Sequence, residues 1–258
     1  MVREFDKDTH LDLVRSAAFI AQLDPETRDA LEAMCRVKSY RSNQIVVHVE
    51  EKADFIGFVL SGILRMEKTL ADGREQIVGL LVEGDIFGRV FDGAAEFSIE
   101  AATDTNICLF PRAKFEALLL QSPDLERAVL LTVASELDRA REWLIILSNQ
   151  KIVGRVAGFL LLMCSRFREI DHILQLSPGG VELKIPISRG DLAHLLGTRP
   201  ESISRALHSL SDQGAIDILE HDRFLIRDGK ALALAADEDE IEAAAILQDL
   251  VTNHRPKH

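Results

Sequence analysis

The sequence predicts an α+β protein with an N-terminal antiparallel β jelly roll or barrel, a long helix and a C-terminal winged helix-turn-helix. Three observations support this order. Short apolar runs separated by turn residues fill 40–111, and an apolar heptad pattern fills 122–150. Ala193, Gly197 and Ile203 then have the spacing of a helix-turn-helix, with a small residue, a glycine and a buried isoleucine. The predicted parts are a lead-in (1–23), the barrel (24–121), the long helix (122–150), the winged domain (151–232) and an acidic extension (233–258).

Composition excludes several classes of protein. The chain has 258 residues, and at roughly 150 residues per domain this predicts about two domains. Hydrophobic residues make up 47%, which excludes global disorder. The longest apolar runs, 159–164 and 192–196, are far shorter than the about 20 residues of a membrane span. Residues 1–10 lack the apolar core of a secretory signal, so we expect a cytoplasmic protein with no membrane partner.

The net charge and the cysteine positions argue against further classes of protein and site. A net charge of −12 argues against a general nucleic-acid coat, although it allows a DNA reader with local positive charge. Cys35, Cys108 and Cys164 are scattered, which argues against a disulfide framework and against a metal site within one loop. We interpret Cys35 and Cys108 as small buried hydrophobic residues. Cys164 is a candidate redox switch, because Arg166 and Arg168 nearby would lower the pKa of its thiol.

The barrel region begins with a helix. Asp24 followed by Pro25 predicts its first turn, and helical spacing continues to about Arg36. Strands follow from Tyr40 to Pro111, and Asp-Gly pairs between them predict tight turns. Residues 1–23 are interpreted as a loose, charged lead-in.

The long helix carries a seam typical of a coiled coil. Its apolar residues recur at alternating spacings of three and four: Leu130, Val133, Leu137, Ala140, Leu144 and Leu147. Further apolar residues lie off the seam: Val129, Leu131, Trp143 and Ile146. One side is therefore predicted to pack on the barrel and the other on a second copy of the chain. An ordinary core helix of a monomer is the alternative.

The winged domain is predicted to contain a helix over 151–167, a loop over 171–180 and a strand over 181–186. Two short helices follow over 188–196 and 199–212, and two short strands over 215–219 and 224–227 complete a wing. Beyond it, the extension has a helical pattern to about Val251. We interpret the extension as a solvated helix, with a contact to a dimer partner or a protease recognition tail as alternatives.

The two short helices form the most informative stretch. Ser188 is expected to cap the first, and Gly197 supplies the positive φ that the turn needs. Thr198 is expected to cap the second, with Glu201 completing a capping box. Ile203, Leu207 and Leu210 bury one face of that second helix.

The opposite face of the second helix is predicted to enter the major groove of DNA. Arg205 matches guanine O6 and N7, Glu201 can accept from a cytosine amino group, and Ser204 can contact a base or a phosphate. Candidate phosphate contacts are Lys184, Arg189, Thr198, Arg199, Ser202 and His208. Residues 184–230 hold seven basic and seven acidic residues, so non-specific DNA binding should be weak and salt-sensitive.

Simpler interpretations stay open beside these. Glu201 can serve the capping box alone, Arg205 can be an ordinary solvent-facing residue, and helix-turn-helix packing also occurs in proteins that do not bind DNA. A ligand-binding module without DNA activity is therefore an alternative. No catalytic residue or metal site is predicted, because phosphate-loop, nucleophile-elbow and His-x-x-x-His patterns are absent from the sequence.

Four motifs together carry a family resemblance. They are Val59-Leu60-Ser61-Gly62-Ile63-Leu64-Arg65, Asp72-Gly73-Arg74 with Gln76-Ile77-Val78, Glu83-Gly84-Asp85-Ile86-Phe87-Gly88, and Glu201-Ser202-Ile203-Ser204-Arg205. In this order they resemble the CRP/FNR family of bacterial transcription regulators over about residues 25–232. The resemblance implies a cyclic-nucleotide-binding-like barrel, a homodimer that binds double-stranded DNA, activation of transcription, and RNA polymerase as a partner.

The recognition helix and the barrel indicate the branch. The Glu-x-x-Ser-Arg form at 201–205 resembles the FNR and FixK branches, which implies a TTGAT-N4-ATCAA palindrome. In cyclic-AMP-binding members a Glu follows Phe-Gly and an Arg-Ser pair holds the phosphate. Here Arg89 follows Phe87-Gly88, and Phe97 replaces the arginine, so no cyclic nucleotide is expected.

Other cofactors are not expected either. The first 34 residues contain no cysteine, so the iron–sulfur cluster of FNR is not expected. The FixK branch, which lacks both the cluster and the nucleotide pocket, is the nearest match. A regulator that senses haem or another small ligand is the alternative, and the sequence does not indicate an axial ligand.

Overall fold

The computed structural model describes residues 20, 22–71, 73, 75–91, 93–166, 173–177, 179–185 and 187–237. The chain divides into two units, and the boundary in the sequence falls between Ala140 and Arg141. None of the helices within the described ranges is long and apolar enough to cross a membrane.

The first unit contains the predicted barrel. Helix α1 (Pro25–Met34) begins at Asp24, whose carboxylate accepts a hydrogen bond from the Thr27 N–H at 2.9 Å. The strands are β1 (Arg36–Tyr40), β2 (Ile45–Val47), β3 (Phe55–Ser61), β4 (Leu64–Thr69), β5 (Glu75–Leu81), β6 (Ile86–Phe87), β7 (Ser98–Ala101) and β8 (Thr105–Pro111). They form two antiparallel four-stranded sheets, in the orders β1-β8-β3-β6 and β2-β7-β4-β5. The jelly-roll prediction is confirmed.

Two hydrophobic clusters fill this unit. One lies around Val59, Leu64 and Ile107, where the inner faces of the two sheets meet. The other joins Phe58 and Phe110 of the first sheet to α1 and to the helices that follow β8. Gly62 makes the turn between β3 and β4 with φ +88°, and a Cβ there would lie 2.5 Å from the Asp104 carbonyl oxygen. The glycine of the Ser61-Gly62 pair is therefore required by the turn.

The structure corrects several predicted boundaries in the first unit. β1 begins at Arg36, four residues before the predicted strand region at Tyr40, because α1 ends at Met34. Ile20 and Leu23 are buried in the core, so these residues of the predicted lead-in belong to the barrel. Helix α2 (Arg112–Leu119) was not predicted, and it buries Phe115 and Leu119 under the first sheet.

The prediction for the first two cysteines was wrong. Cys35 and Cys108 form a disulfide, although 73 residues separate them in the chain. β1 runs antiparallel to β8 with Val37 opposite Cys108, and this register brings Cys35 beside Cys108. Sequence spacing alone did not reveal the pairing.

The long helix α3 (Pro123–Ser148) begins in the first unit and ends in the second. Ser122 precedes it, and its hydroxyl accepts a hydrogen bond from the Leu125 N–H. Leu125, Ala128 and Val129 pack against the barrel core, whereas Leu131, which was predicted off the seam with Val129, is 52% exposed. At the other end, Trp143 stacks on Phe159 instead, with ring centroids 6.0 Å apart.

The second unit contains the winged domain. Its elements are α4 (Ile152–Arg166), β9 (Leu174–Ser177), β10 (Gly180–Lys184), α5 (Arg189–Leu195), α6 (Pro200–Asp212), β11 (Ile216–Ile218), β12 (Arg223–Ile226) and α7 (Gly229–Ala236). The strands form one antiparallel sheet in the order β11-β12-β10-β9. β9 lies within the predicted loop over 171–180, so the sheet has one strand more than predicted.

Helix α7 crosses the predicted boundary at residue 232. Leu232, Ala233 and Ala236 are buried, so 233–236 belong to the winged domain. The helical pattern predicted toward Val251 lies outside the described residues.

Candidate nucleic-acid interface

The first helix of the helix-turn-helix, α5, is fixed by a capping box. The Ser188 hydroxyl accepts from the Asp191 N–H at 3.0 Å, and the Asp191 carboxylate accepts from the Ser188 N–H at 3.2 Å. Leu192 and Leu195 are buried, and Gly197 has φ +63° at the turn. These features match the predicted start, core and turn of the motif.

The start of the second helix differs from the prediction. Arg199, not Thr198, is the N-cap of α6, and no side chain caps this end. Pro200 occupies the first helical position, which suits its fixed φ and missing N–H. The Thr198 N–H instead donates to the Ala193 carbonyl, 2.8 Å away. Glu201 consequently takes no part in a capping box, and its side chain is exposed.

Helix α6 is strongly two-sided. Ile203, Ala206, Leu207 and Leu210 are buried against the rest of the unit. The other face is exposed and carries Glu201, Ser204, Arg205 and His208. Positions i, i+3, i+4 and i+7 of a helix lie on one side, so these four residues share a single surface. The three predicted base-reading residues are thus brought together.

Two predicted phosphate contacts, Lys184 and Arg199, are exposed to solvent. Lys184 is the last residue of β10, and Arg199 immediately precedes α6. Neither forms an ion pair with another residue of the described ranges. Thr198 and Ser202 are half-buried, and the Ser202 hydroxyl accepts from Arg205 Nη2 at 3.4 Å.

Arg189 has a different environment. Its guanidinium donates to the His221 carbonyl at 2.7 Å and lies 5.2 Å from the Phe224 ring centroid. Burial lowers the pKa of Arg189, and the nearby Asp222 carboxylate partly offsets that effect. Arg189 therefore joins α5 to the wing, a role that the sequence did not indicate.

The arginines of the wing are paired with acidic side chains of the same sheet. Arg223 lies 3.2 Å from Glu182, and Arg227 lies 2.5 Å from Asp217. These pairs neutralise two of the seven basic residues counted in the sequence. Lys184, Arg199 and Arg205 remain as exposed cations at the candidate interface.

A partly buried link within the second unit was not predicted from the sequence. Arg155 of α4 donates from Nε to the Asn149 carbonyl at 2.8 Å and from Nη1 to the Leu196 carbonyl at 3.0 Å. The Asn149 amide donates to the Ala236 carbonyl at 3.2 Å. The segment between α3 and α4 is thereby tied to the turn before α6 and to the end of α7. The feature of the sequence that could have indicated this link is Arg155, the only charged residue in the apolar run 152–164.

The predicted seam of α3 faces away from the core of the single chain. The exposed fractions are 62% for Leu130, 60% for Val133, 52% for Leu137 and 68% for Leu144. Ala140 is also exposed, and Leu147 is half-buried. A helix with large apolar residues on an exposed stripe needs a partner surface.

The segment between β6 and β7 is where a cyclic nucleotide would be bound. Its cation, Arg89, pairs with Glu96 at 2.8 Å, and both side chains are substantially exposed. Phe97 lies under Lys68, whose Nζ is 5.5 Å from the ring centroid. Arg89 of this segment is therefore engaged by Glu96, and Phe97 offers an aromatic ring and no charge.

Cys164, the redox candidate, is completely buried in α4. Within the described ranges, no group of three or more His, Cys, Asp or Glu residues could hold a metal ion.

Comparison with protein families gives two matches. Residues 37–122 match the cyclic nucleotide-binding domain, and residues 154–235 match the Crp-like helix-turn-helix domain.

Similar proteins and structures agree with these matches. The chain is 31% identical to the transcriptional activator protein FnrL of Cereibacter sphaeroides, over 88% of this chain and 90% of that protein. It is also 31% identical to the nitrogen fixation regulation protein FixK of Bradyrhizobium diazoefficiens, over 86% and 92% respectively. The structure of FixK2 from Bradyrhizobium japonicum superposes with a TM-score of 0.68 and 29% identity, covering 78% of this chain and 96% of that one.

Proposed function

Because this chain belongs to the CRP/FNR family of transcription regulators, in its FNR/FixK-like branch, we propose which DNA it reads and how. Two copies bind a TTGAT-N4-ATCAA-like palindrome and activate transcription with RNA polymerase as a partner in the cytoplasm. The protein acts as a DNA-binding regulator and not as an enzyme.

One observation carries this proposal: Glu201, Ser204 and Arg205 share the exposed face of α6. An arginine fork matches guanine O6 and N7, and a carboxylate can accept from the cytosine amino group. Both groups are available, because Glu201 does not cap its helix and, within the described residues, Arg205 contacts only the Ser202 hydroxyl. Lys184 and Arg199 would hold the flanking phosphates.

The exposed seam supports the homodimer. Burying Leu130, Val133, Leu137 and Leu144 against a second α3 removes apolar surface from water, at roughly 25 cal/mol per Å². A palindrome has two half-sites about one helical turn apart, near 34 Å, and a two-fold dimer matches that symmetry. Two weak half-site contacts then combine into tight binding by bivalency.

We further propose that neither a cyclic nucleotide nor an iron–sulfur cluster is required. The Arg89–Glu96 pair at the surface and the aromatic Phe97 support the first part. The absence of cysteine from the first 34 residues supports the second.

Replacing Arg205 with alanine tests the base-reading role. We expect the variant to lose about 1–3 kcal/mol on the palindrome, a roughly 5- to 150-fold rise in Kd, because one bidentate contact to guanine is lost. The loss should be largest on the wild-type site and vanish when that guanine is changed. A fluorescence anisotropy titration at fixed salt with both duplexes measures this.

Arg199→Ala is the matched control for Arg205→Ala. A phosphate contact carries no sequence information, so this variant should weaken binding to both duplexes equally and reduce the salt slope by about one. If Arg205→Ala also weakens both duplexes equally, Arg205 does not read a base. If wild type does not prefer the palindrome over a scrambled duplex, the proposed site is wrong.

Titration calorimetry with cyclic AMP tests the effector proposal. We expect no binding with a Kd below about 10 µM, because a buried phosphate without a paired cation loses a charge-assisted contact worth roughly 2–5 kcal/mol. A cyclic-AMP-dependent regulator of this family serves as the positive control. Tight binding, or a gain in DNA affinity on adding the nucleotide, would contradict the proposal.

A further inference from the structure

We propose that Cys35 and Cys108 form a reversible redox pair, which peroxide-class oxidants close into a disulfide and dithiol reductants reopen. The closed form fastens α1 to strand β8 of the barrel. The proposal concerns the barrel unit and does not depend on DNA binding.

Backbone geometry brings the two thiols together. The Cα atoms are 5.7 Å apart, within the range of about 4.4–6.8 Å that disulfides require. Cys35 follows the last residue of α1, and its N–H donates to the Leu31 carbonyl at 3.0 Å. The antiparallel register of β1 and β8 then fixes its position beside Cys108. The pairing therefore follows from the fold of the barrel itself.

The two cysteines differ in access to solvent. Cys108 has an exposed fraction of 0% and lies in the core cluster with Phe110 and Phe115. Cys35 is only half-buried and immediately precedes β1, which is the edge strand of its sheet. A small oxidant can thus reach Cys35 from solvent but not Cys108. An accessible cysteine beside a buried resolving cysteine is the arrangement of thiol redox sensors.

The chemistry balances with a hydroperoxide as the oxidant. The Cys35 thiolate attacks one peroxide oxygen, the O–O bond breaks, and a sulfenic acid forms with release of water or alcohol. The Cys108 sulfur then attacks the Cys35 sulfur, an S–S bond forms, and the sulfenic oxygen leaves as water. The two thiols lose two electrons in total, and the peroxide gains them. A dithiol reverses the reaction by thiol–disulfide exchange.

Closure of the pair constrains the core under the long helix. The same cluster that contains Cys108 also contains Leu31 of α1 and Leu125 and Ala128 of α3. Joining residues 73 apart restricts the unfolded chain and stabilises the folded barrel. Oxidation is therefore expected to make the first unit more resistant to urea.

Thiol counting on the full-length protein tests the proposal. Protein treated with hydrogen peroxide, or with dithiothreitol followed by its removal, is denatured and labelled with N-ethylmaleimide. Intact mass should show one label after peroxide and three after reductant, and peptide mapping should find Cys35 linked to Cys108. The urea midpoint should rise by about 1–2 M on oxidation and return after reduction. These results would support the proposal.

Matched serine variants locate the effect. Cys164→Ser should keep both the disulfide and the urea shift, whereas Cys35→Ser should lose both and bind two labels after peroxide. A Cys108→Ser variant is not used, because this substitution would alter the buried core. Peptide mapping of the wild type identifies Cys108 as the partner instead. Three labels after peroxide, a linkage through Cys164, a disulfide between two chains, or over-oxidation of Cys35 without linkage would each overturn the proposal.

Discussion

Replacing Arg139 with alanine is expected to lower the free energy of unfolding of the first unit by about 3–5 kcal/mol. The Arg139 guanidinium bonds the Asp85 carboxylate, and both side chains are largely buried, with exposed fractions of 15% and 11%. The other Asp85 oxygen accepts from the Val82 N–H at 2.9 Å. Without Arg139, the buried Asp85 carboxylate loses its charged partner. Glu136, which also contacts Arg139, loses this contact as well.

Urea unfolding followed by far-ultraviolet circular dichroism measures this loss. Arg127→Ala is the matched control, because Arg127 is exposed on the same helix and should change stability by less than about 0.5 kcal/mol. The double variant Asp85→Asn with Arg139→Met should regain much of the stability, since position 85, the more buried of the two acidic partners, then carries no unpaired charge. A loss below about 1 kcal/mol in Arg139→Ala would show that the pair contributes little.

Replacing Leu137 with glutamate is expected to convert the proposed dimer into a monomer and to weaken binding to the proposed palindrome by more than about 100-fold. Leu137 lies in the middle of the exposed seam, and a dimer would place it close to its own copy, so two charges would be buried together. Loss of bivalency then removes the second half-site contact, which is worth roughly 10²–10⁴ in avidity. Sedimentation velocity and anisotropy titration measure the two effects.

Ser135→Glu is the matched control for this variant. Ser135 is exposed on the same helix, almost opposite the seam. Its replacement by glutamate adds the same charge outside the proposed interface. It should remain dimeric and bind the palindrome as wild type does. A dimeric Leu137→Glu protein, or a wild type that is monomeric at micromolar concentration and on DNA, would contradict the seam proposal.

Patterns with a regular period could be predicted from the sequence. The alternation of three and four along 130–147 identified an exposed apolar stripe, because the core-facing residues of α3 occupy other heptad positions. The apolar spacing of Ile203, Leu207 and Leu210 likewise predicted which side of α6 is free. Turn residues such as Gly62 and Gly197 marked the ends of elements, because only a positive φ closes those turns.

Contacts between distant segments could not be predicted in this way. The Cys35–Cys108 pair depends on the register of two strands, which local spacing does not determine. The contacts of Arg189 with His221 and Phe224 could not be predicted, because these residues lie in the wing, more than 30 positions later in the chain. The Thr198 cap was wrong by one residue, because Pro200 competes for the first helical position. α2 and β9 are short, and short apolar segments give weak periodicity.

Neutralisation of the wing has a consequence for how the protein finds its target. Arg223 and Arg227 are paired with carboxylates of their own sheet, so these two arginines add little attraction for non-target DNA. The protein should therefore stay on non-target DNA only briefly, and it should dissociate and rebind more often than it slides along the duplex. Occupancy of a promoter in the cell would then be decided by base contacts from α6 and not by general attraction to the chromosome.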